Sequence, residues 1–318
     1  MTRILVTGAL GLVGSDLVPE LQKKYGKDNV IASDYRNMPR EFNGITEKLD
    51  VRDAEAMKGL IRRYDLTQIY HLAGLMSAGG EKNPNLAWDI NITGIKNVLD
   101  LSVEHNIRVF WPSSIAVFGP NTPRDNTPQH TIIEPTTIYG VTKLAGELLC
   151  QYYFLKHGLD VRSLRYPGLV GYKAPPGDGT TEYAIWVFYG AIRKKRYTCF
   201  LKEDTVLPMM YMDDAIKGTI DIMDAKNEDI RIRTSYNFSA ISFCPKDIYV
   251  EIKKLVPDFE MDYKPDGRQK IAESWPTIID DSEARKDWNW KPDHDLKTMT
   301  KDMYEKLSEK LKSRSAEI

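Results

Sequence analysis

Tyr139 and Lys143 lie four residues apart, a spacing that puts a phenol and an ammonium on one face of a helix. A tyrosine of ordinary pKa, about 10, is a poor base at neutral pH. A cation beside it favours the phenolate, so the pair reads as a tyrosine base activated by a lysine. Ser113 and Ser114 close a β-rich run, at the carboxyl end where open α/β sheets build their sites. A hydroxyl there can orient a reacting hydroxyl. The expected catalytic set is Ser114, Tyr139 and Lys143, with Ser113 beside it.

A second stretch, Thr7-Gly8-Ala9-Leu10-Gly11-Leu12-Val13-Gly14, follows an apolar run and opens a helical one. Gly8 and Gly11 allow a tight turn that approaches a pyrophosphate, and Gly14 lets the helix pack closely on the strand. The helix N-terminus then offers its free N–H groups to the phosphates. Asp34, twenty residues past Gly14, can accept both hydrogen bonds of the adenosine ribose diol and would repel a 2′-phosphate. That favours NAD over NADP, although Arg36 could accommodate a phosphate. Asp50 and Val51, after a third expected strand, are placed to hold and pack the adenine. Together these stretches indicate a nicotinamide enzyme whose base is a tyrosine.

The elements that must position these residues alternate along the first half of the chain. Strands are expected at Arg3–Thr7, Val30–Ser33, Glu47–Leu49, Gln68–Leu72, Arg108–Pro112 and Val161–Arg165. Between them come helices at Leu12–Tyr25, Ala54–Tyr64, Pro84–His105 and Tyr139–His157. This order predicts an α/β fold with a doubly wound parallel sheet. After Pro167 the texture changes, with a Pro/Gly/Thr-rich loop at Lys173–Thr181. Helices are expected at Tyr183–Lys194, Asp213–Asp224, Pro245–Val256 and Leu296–Leu311, and a strand at Tyr236–Phe238 that returns to the main sheet. Lys312–Ile318 reads as a polar tail. The division is a cofactor-binding domain over 1–167, with a returning segment near 205–240, and a smaller mixed α/β substrate lobe over 168–318. Pockets favour such lobe interfaces.

Bulk charge narrows the partners. Lys and Arg number 44 against 45 Asp and Glu, a net charge of −1, which gives no support for nucleic acid or a membrane surface. No apolar run reaches the roughly 20 residues of a membrane span. A first strand near residue 3 leaves no room for a targeting peptide. Cys150, Cys199 and Cys244 are scattered and read as reduced thiols of a cytoplasmic protein, and no metal site is expected.

Several motifs resemble the extended short-chain dehydrogenase/reductase family. They are Thr7–Gly14, His71-Leu72-Ala73-Gly74, Asn91, Ser114–Gly119, Tyr139–Lys143 and Arg165-Tyr166-Pro167-Gly168. The resemblance implies a Rossmann-type domain, a Ser–Tyr–Lys triad and cofactor contacts from Leu12, Val13, Leu72, Ala73, Gly74, Asn91, Tyr166 and Pro167. It also implies a homodimer through the helices near 84–105 and 139–157.

Many relatives act on nucleotide sugars and carry an arginine at the start of an R-D-Y-V/I-H-V-x-D motif, where it binds the diphosphate. Here the segment reads Leu207-Pro208-Met209-Met210-Tyr211-Met212-Asp213-Asp214, and an apolar Leu207 cannot neutralise a diphosphate. Gly74–Pro84, Gly179–Ala184, Leu207–Met212, Trp275-Pro276 and Asp280–Ala284 instead resemble the short-chain L-threonine 3-dehydrogenases. That resemblance implies NAD-dependent oxidation of L-threonine at C3 to 2-amino-3-ketobutyrate. Ser77, Thr180 and Thr181 would contact the amino acid with Ser114 and Tyr139, and Trp275 would wall the pocket; separately, the Pro/Gly composition of Lys173–Thr181 suggests a loop that orders over the substrate. No arginine is assigned to the substrate carboxylate. Two alternatives stay open: a nucleotide-sugar epimerase or dehydratase of the same family, and an NAD-binding regulator.

Overall fold

The computed structural model describes residues 2–39 and 42–315. Strands are β1 (Ile4–Thr7), β2 (Val30–Asp34), β3 (Ile45–Lys48), β4 (Gln68–His71), β5 (Arg108–Ser114) and β6 (Val161–Tyr166). They continue with β7 (Gly168–Val170), β8 (Arg196–Cys199), β9 (Leu207–Tyr211), β10 (Tyr236–Asn237), β11 (Ile241–Phe243) and β12 (Glu260–Tyr263). Helices are α1 (Gly14–Tyr25), α2 (Ala54–Tyr64), α3 (Ser77–Lys82), α4 (Pro84–Trp88), α5 (Gly94–His105) and α6 (Ile138–His157). After these come α7 (Tyr183–Lys194), α8 (Met212–Asp224), α9 (Pro245–Leu255), α10 (Arg268–Glu273), α11 (Ser282–Trp288) and α12 (Leu296–Ser315).

The main sheet has seven strands in the order β10-β6-β5-β4-β1-β2-β3, all parallel. It is the doubly wound Rossmann-type sheet that the alternation predicts. Both faces are covered, so successive strand residues feed different cores. Ile4 and Val6 join one buried cluster with Leu17, Leu21 and Phe110, whereas Leu5 joins another with Ile61, Ile95 and Leu99. The strand order reverses between β1 and β4, which opens a crevice at the carboxyl ends of these strands.

Chain beyond β6 supplies two small sheets, β11-β9-β7 and β12-β8. They share a third core with α7, α9 and α12. The apolar stripe of α12 behaves as its periodicity predicts: Met299, Met303 and Leu307 are fully buried, with Leu296 and Leu311 packed against them. Short strands β7, β8, β9, β11 and β12 were not expected from the sequence. The expected tail at 312–318 is helical through Ser315, and 316–318 lie outside the described residues.

The long helix expected over 84–105 contains a π-turn at Asp89–Thr93 between α4 and α5. Such a bulge inserts an extra residue into the helical turn. Among the described residues, no helix is long and apolar enough to cross a membrane.

Candidate active site

The turn after β1 explains its glycines. Gly8 has φ +70°, and a Cβ there would lie 2.7 Å from the Ala73 backbone nitrogen. A Cβ on Gly14 would lie 2.4 Å from the Gly8 carbonyl oxygen. The turn is thereby pressed against β4 and α1 at once, and α1 starts at Gly14 rather than at the expected Leu12.

Gly8, Gly11, Leu12, Val13 and Gly14 form one end of a cleft of about 480 Å³. Leu72, Gly74, Tyr166 and Pro167 line its middle, with Ser113, Ser114, Tyr139 and Lys143. Its far end, from the second lobe and α3, holds Ser77, Asp178, Thr180, Thr181, Glu182 and Trp275. The expected site residues thus converge from β1, β4, β5, α6 and chain beyond β6. Among the described residues, Lys143 is the sole basic one lining the cleft.

Five expected contact residues sit behind or beyond this lining. Ala73 backs the turn at Gly8. Asn91, in the π-turn, accepts from the Leu75 N–H at 2.7 Å and donates to the Leu75 carbonyl at 3.1 Å and to Thr142 Oγ1 at 3.0 Å. Its amide holds the 74–76 loop against α6 and so shapes the wall without lining it. Asp34, at the end of β2, accepts from the Leu10 N–H at 3.1 Å, which ties it to the glycine turn. The guanidinium of Arg36 beside it holds its carboxyl below the usual range, against the upward pull of burial. Asp50 is paired with Arg52, and Val51 is buried against Gly94.

Thr137 caps α6, its hydroxyl accepting from the Gly140 N–H at 3.1 Å, and this sets Tyr139 in the first turn. Burial pushes the Tyr139 phenol up to about 12, and a hydrogen bond from Ser114 pulls it down. Burial also pulls Lys143 down to about 8. Lys143 Nζ donates to the Pro112 carbonyl at 2.6 Å and lies 4.6 Å from the centre of the Trp111 ring and 5.6 Å from that of Tyr139. The Ser114 hydrogen bond is the influence on Tyr139 that opposes burial. The ammonium is aimed at the end of β5, and Ser114 is the group that favours the phenolate.

Ser113 lines the cleft but has a different partner. Neighbouring residues on a strand point to opposite sides. Ser114 meets Tyr139, while the Ser113 hydroxyl donates to Glu147 Oε1 at 2.6 Å. Glu147 is buried in a two-pronged pair with Arg165, at 2.9 and 2.8 Å. Arg165 reaches on to Asn237 of β10 at 3.0 Å. Ser113 therefore belongs to a network that fixes α6 on the sheet, its one hydroxyl proton committed to Glu147.

Sequence reasoning missed Glu182 and Asp178. Glu182 is buried, accepts from the Gly177 N–H at 3.2 Å, and burial raises its carboxyl. The 173–179 loop is tied down at several points: Trp186 Nε1 donates to the Gly177 carbonyl at 3.0 Å, and Lys310 Nζ to that of Tyr172 at 2.8 Å. Lys173 pairs with buried Asp16 of α1 at 3.0 Å. Leu207 is buried in the core on β9 and is absent from the cleft wall. Among the described residues no group of His, Cys, Asp and Glu could hold a metal ion.

Residues 4–237 match the NAD dependent epimerase/dehydratase family. The chain belongs to this family. An uncharacterized epimerase/dehydratase of Staphylococcus haemolyticus is 48% identical over 314 residues, 98% of this chain and 99% of its own. Among solved structures, the holo form of a GalE-like L-threonine dehydrogenase from Cupriavidus necator is 49% identical, with a TM-score of 0.94 over 96% of this chain and 99% of that one. An L-threonine dehydrogenase from Clostridium difficile is 47% identical, with a TM-score of 0.95 over 98% of both chains. The cofactor is NAD, and the cleft fits it. The glycine turn opens α1 for the pyrophosphate, Asp34 stands beside that turn for the ribose, and the Tyr139–Lys143 pair follows further along the lining.

Proposed function

We propose that this protein is an L-threonine 3-dehydrogenase, oxidising C3 of L-threonine to give 2-amino-3-ketobutyrate. The observation that carries this reading is the makeup of the far end of the cleft. Hydroxyls of Ser77, Thr180 and Thr181 stand there with the carboxylates of Asp178 and Glu182, and among the described residues no arginine lines it. An ammonium suits such a wall and would offset the cost of burying Glu182. A sugar-nucleotide diphosphate meets no guanidinium there among the described residues, since Leu207 is in the core. The threonine dehydrogenase structures with nearly half their residues identical favour the same substrate.

Bound NAD⁺ supplies the hydride acceptor. Ser114 holds the C3 hydroxyl oxygen, and the Tyr139 phenolate takes the hydroxyl proton as C3 becomes a ketone. Lys143 positions the cofactor ribose and keeps a positive charge near the proton transfer. Trp275 and the tied-down 173–179 loop exclude water from the amino-acid end.

The deciding experiment follows NADH formation at 340 nm with L-threonine, beside UDP-glucose and UDP-galactose controls. Turnover with threonine and none with the sugars is expected, and Glu182→Gln should raise the KM for threonine about tenfold or more without changing NAD⁺ affinity. No turnover with threonine sinks the substrate assignment. Activity on the sugars would make the epimerase reading primary.

We also propose a homodimer through the helices near 84–105 and 139–157. Val141, Leu148, Tyr152 and Leu155 are exposed on α6, Leu148 by 55% and Leu155 by 72%, and Trp88 is exposed on α4. Sedimentation should give a dimer that Leu148→Glu with Leu155→Glu converts to monomer; a wild-type monomer overturns the assignment.

A further inference from the structure

Asp34 has no acceptor capacity left. Its Oδ1 accepts from the Arg36 backbone N–H at 3.1 Å and from Arg36 Nε at 2.9 Å. Its Oδ2 accepts from the Leu10 N–H and from Arg36 Nη2, both at 3.1 Å. An ionised carboxylate offers about four lone-pair sites. All four are taken, at a side chain only 3% exposed. A ribose diol needs two of them.

The four bonds differ in how readily they yield. Those from Leu10 and the Arg36 backbone are part of the turns that position the carboxylate. The two from the guanidinium end a flexible side chain that is 48% exposed. The fork forms without help from any ligand, because the same arrangement recurs at Asp266 and Arg268, outside the cleft, with Nε at 3.0 Å and Nη2 at 2.6 Å. It recurs again at Asp50 and Arg52, the other carboxylate expected at the adenosine end. What sets Asp34 apart is that its carboxylate is nearly sealed, so that a ligand can reach it only by taking the guanidinium's place.

We propose that Arg36 is a specificity-determining competitor for the ribose site: NAD binds by turning the Arg36 guanidinium off Asp34, and the released guanidinium is the group that meets a 2′-phosphate when NADP binds instead. Arg36 then acts in opposite directions on the two dinucleotides. It weakens NAD by holding the acceptor that the diol needs. It supports NADP by offsetting the repulsion between Asp34 and the extra phosphate. The net preference for NAD is smaller than Asp34 alone would give.

The test is a binding titration of the full-length protein with NAD⁺ and with NADP⁺, read by calorimetry or by quenching of tryptophan fluorescence. No second substrate is present, so the result is independent of the threonine assignment. Arg36→Ala should tighten NAD⁺ by about three- to tenfold, the scale of a charge-assisted pair at a partly exposed site, and weaken NADP⁺. Arg36→Lys keeps the charge but not the two-pronged geometry, and should tighten NAD⁺ by less. It serves as the test if the alanine variant does not fold. The NAD⁺ gap between wild type and Arg36→Ala should narrow as salt rises to about 0.5 M, because the exposed pair is screened. Unchanged or weaker NAD⁺ binding in both variants overturns the proposal and makes Arg36 a neutral or direct contact of the cofactor.

Discussion

The Ser113 hydroxyl donates to the Glu147 carboxylate at 2.6 Å, while its neighbour Ser114 faces Tyr139. One strand residue thus anchors α6 and the next meets the base that α6 carries. Ser113→Ala should leave turnover within a few-fold and lower stability by about 1–3 kcal/mol, because a buried carboxylate loses a partner. Ser114→Ala should do the reverse, cutting kcat about a hundredfold with little effect on unfolding. Paired urea denaturation and steady-state kinetics on both variants check the division. A Ser113→Ala variant that folds normally but is inactive would return that serine to the catalytic set.

The pH profile carries a second expectation. Burial holds Tyr139 at about 12, and the Ser114 hydrogen bond is the influence that lowers it. Activity that depends on the phenolate should rise with pH. Removing Ser114 should move that rise to higher pH, so Ser114→Ala recovers part of its lost rate in alkali. Tyr139→Phe should lose about 10²- to 10⁴-fold at every pH while still binding NAD⁺. A profile that stays in place in Ser114→Ala would show that the serine acts on substrate alone.

His71 should make the fold sensitive to acid. Its ring is buried between the sheet and the long helix, with Nδ1 2.8 Å from Thr7 Oγ1, and burial pulls its pKa down to about 3. In the unfolded chain a histidine titrates near 6.5, so between these values the unfolded state binds the proton and the folded state does not. Stability is therefore lost as pH falls below about 6.5. Between pH 7 and pH 5 this one group accounts for about 2 kcal/mol. His71→Asn should flatten that dependence, measured as urea midpoints at the two pH values; equal slopes in wild type and variant would assign acid lability elsewhere.

Legibility in the sequence followed how local each signal is. The Gly8–Gly14 turn, the Tyr139–Lys143 spacing and the alternation of strands and helices depend on neighbours a few residues away, and the structure has them at or near the expected positions. Strands β7, β8, β9, β11 and β12 were missed because each is three to five residues long and stabilised by pairing with distant chain. Glu182 was missed for a related reason. Nothing beside it in sequence marks it as buried, and its place in the cleft depends on how the second lobe folds back. Tyr139 and Lys143 were assigned correctly to one helix face, yet their mutual influence was not readable, because the Pro112 carbonyl that orients Lys143 lies 31 residues away.

The π-turn at Asp89–Thr93 also preserves the phase of the helix that contains it. One residue of an α-helix corresponds to about 100° of rotation. The wider π-turn absorbs its extra residue, so Leu86 and Trp88 on one side keep their phase relative to Val98 and Leu99 on the other. Val98 and Leu99 are sealed against the sheet, whereas Leu86 and Trp88 face outward. Deleting a single residue within the turn would restore regular winding and leave that phase nearly unchanged, while withdrawing Asn91 from Leu75. Length in this segment is thus constrained by the cleft rather than by the outer surface: a deletion would spare the outward face but unfasten the Asn91 amide from the wall of the cofactor cleft.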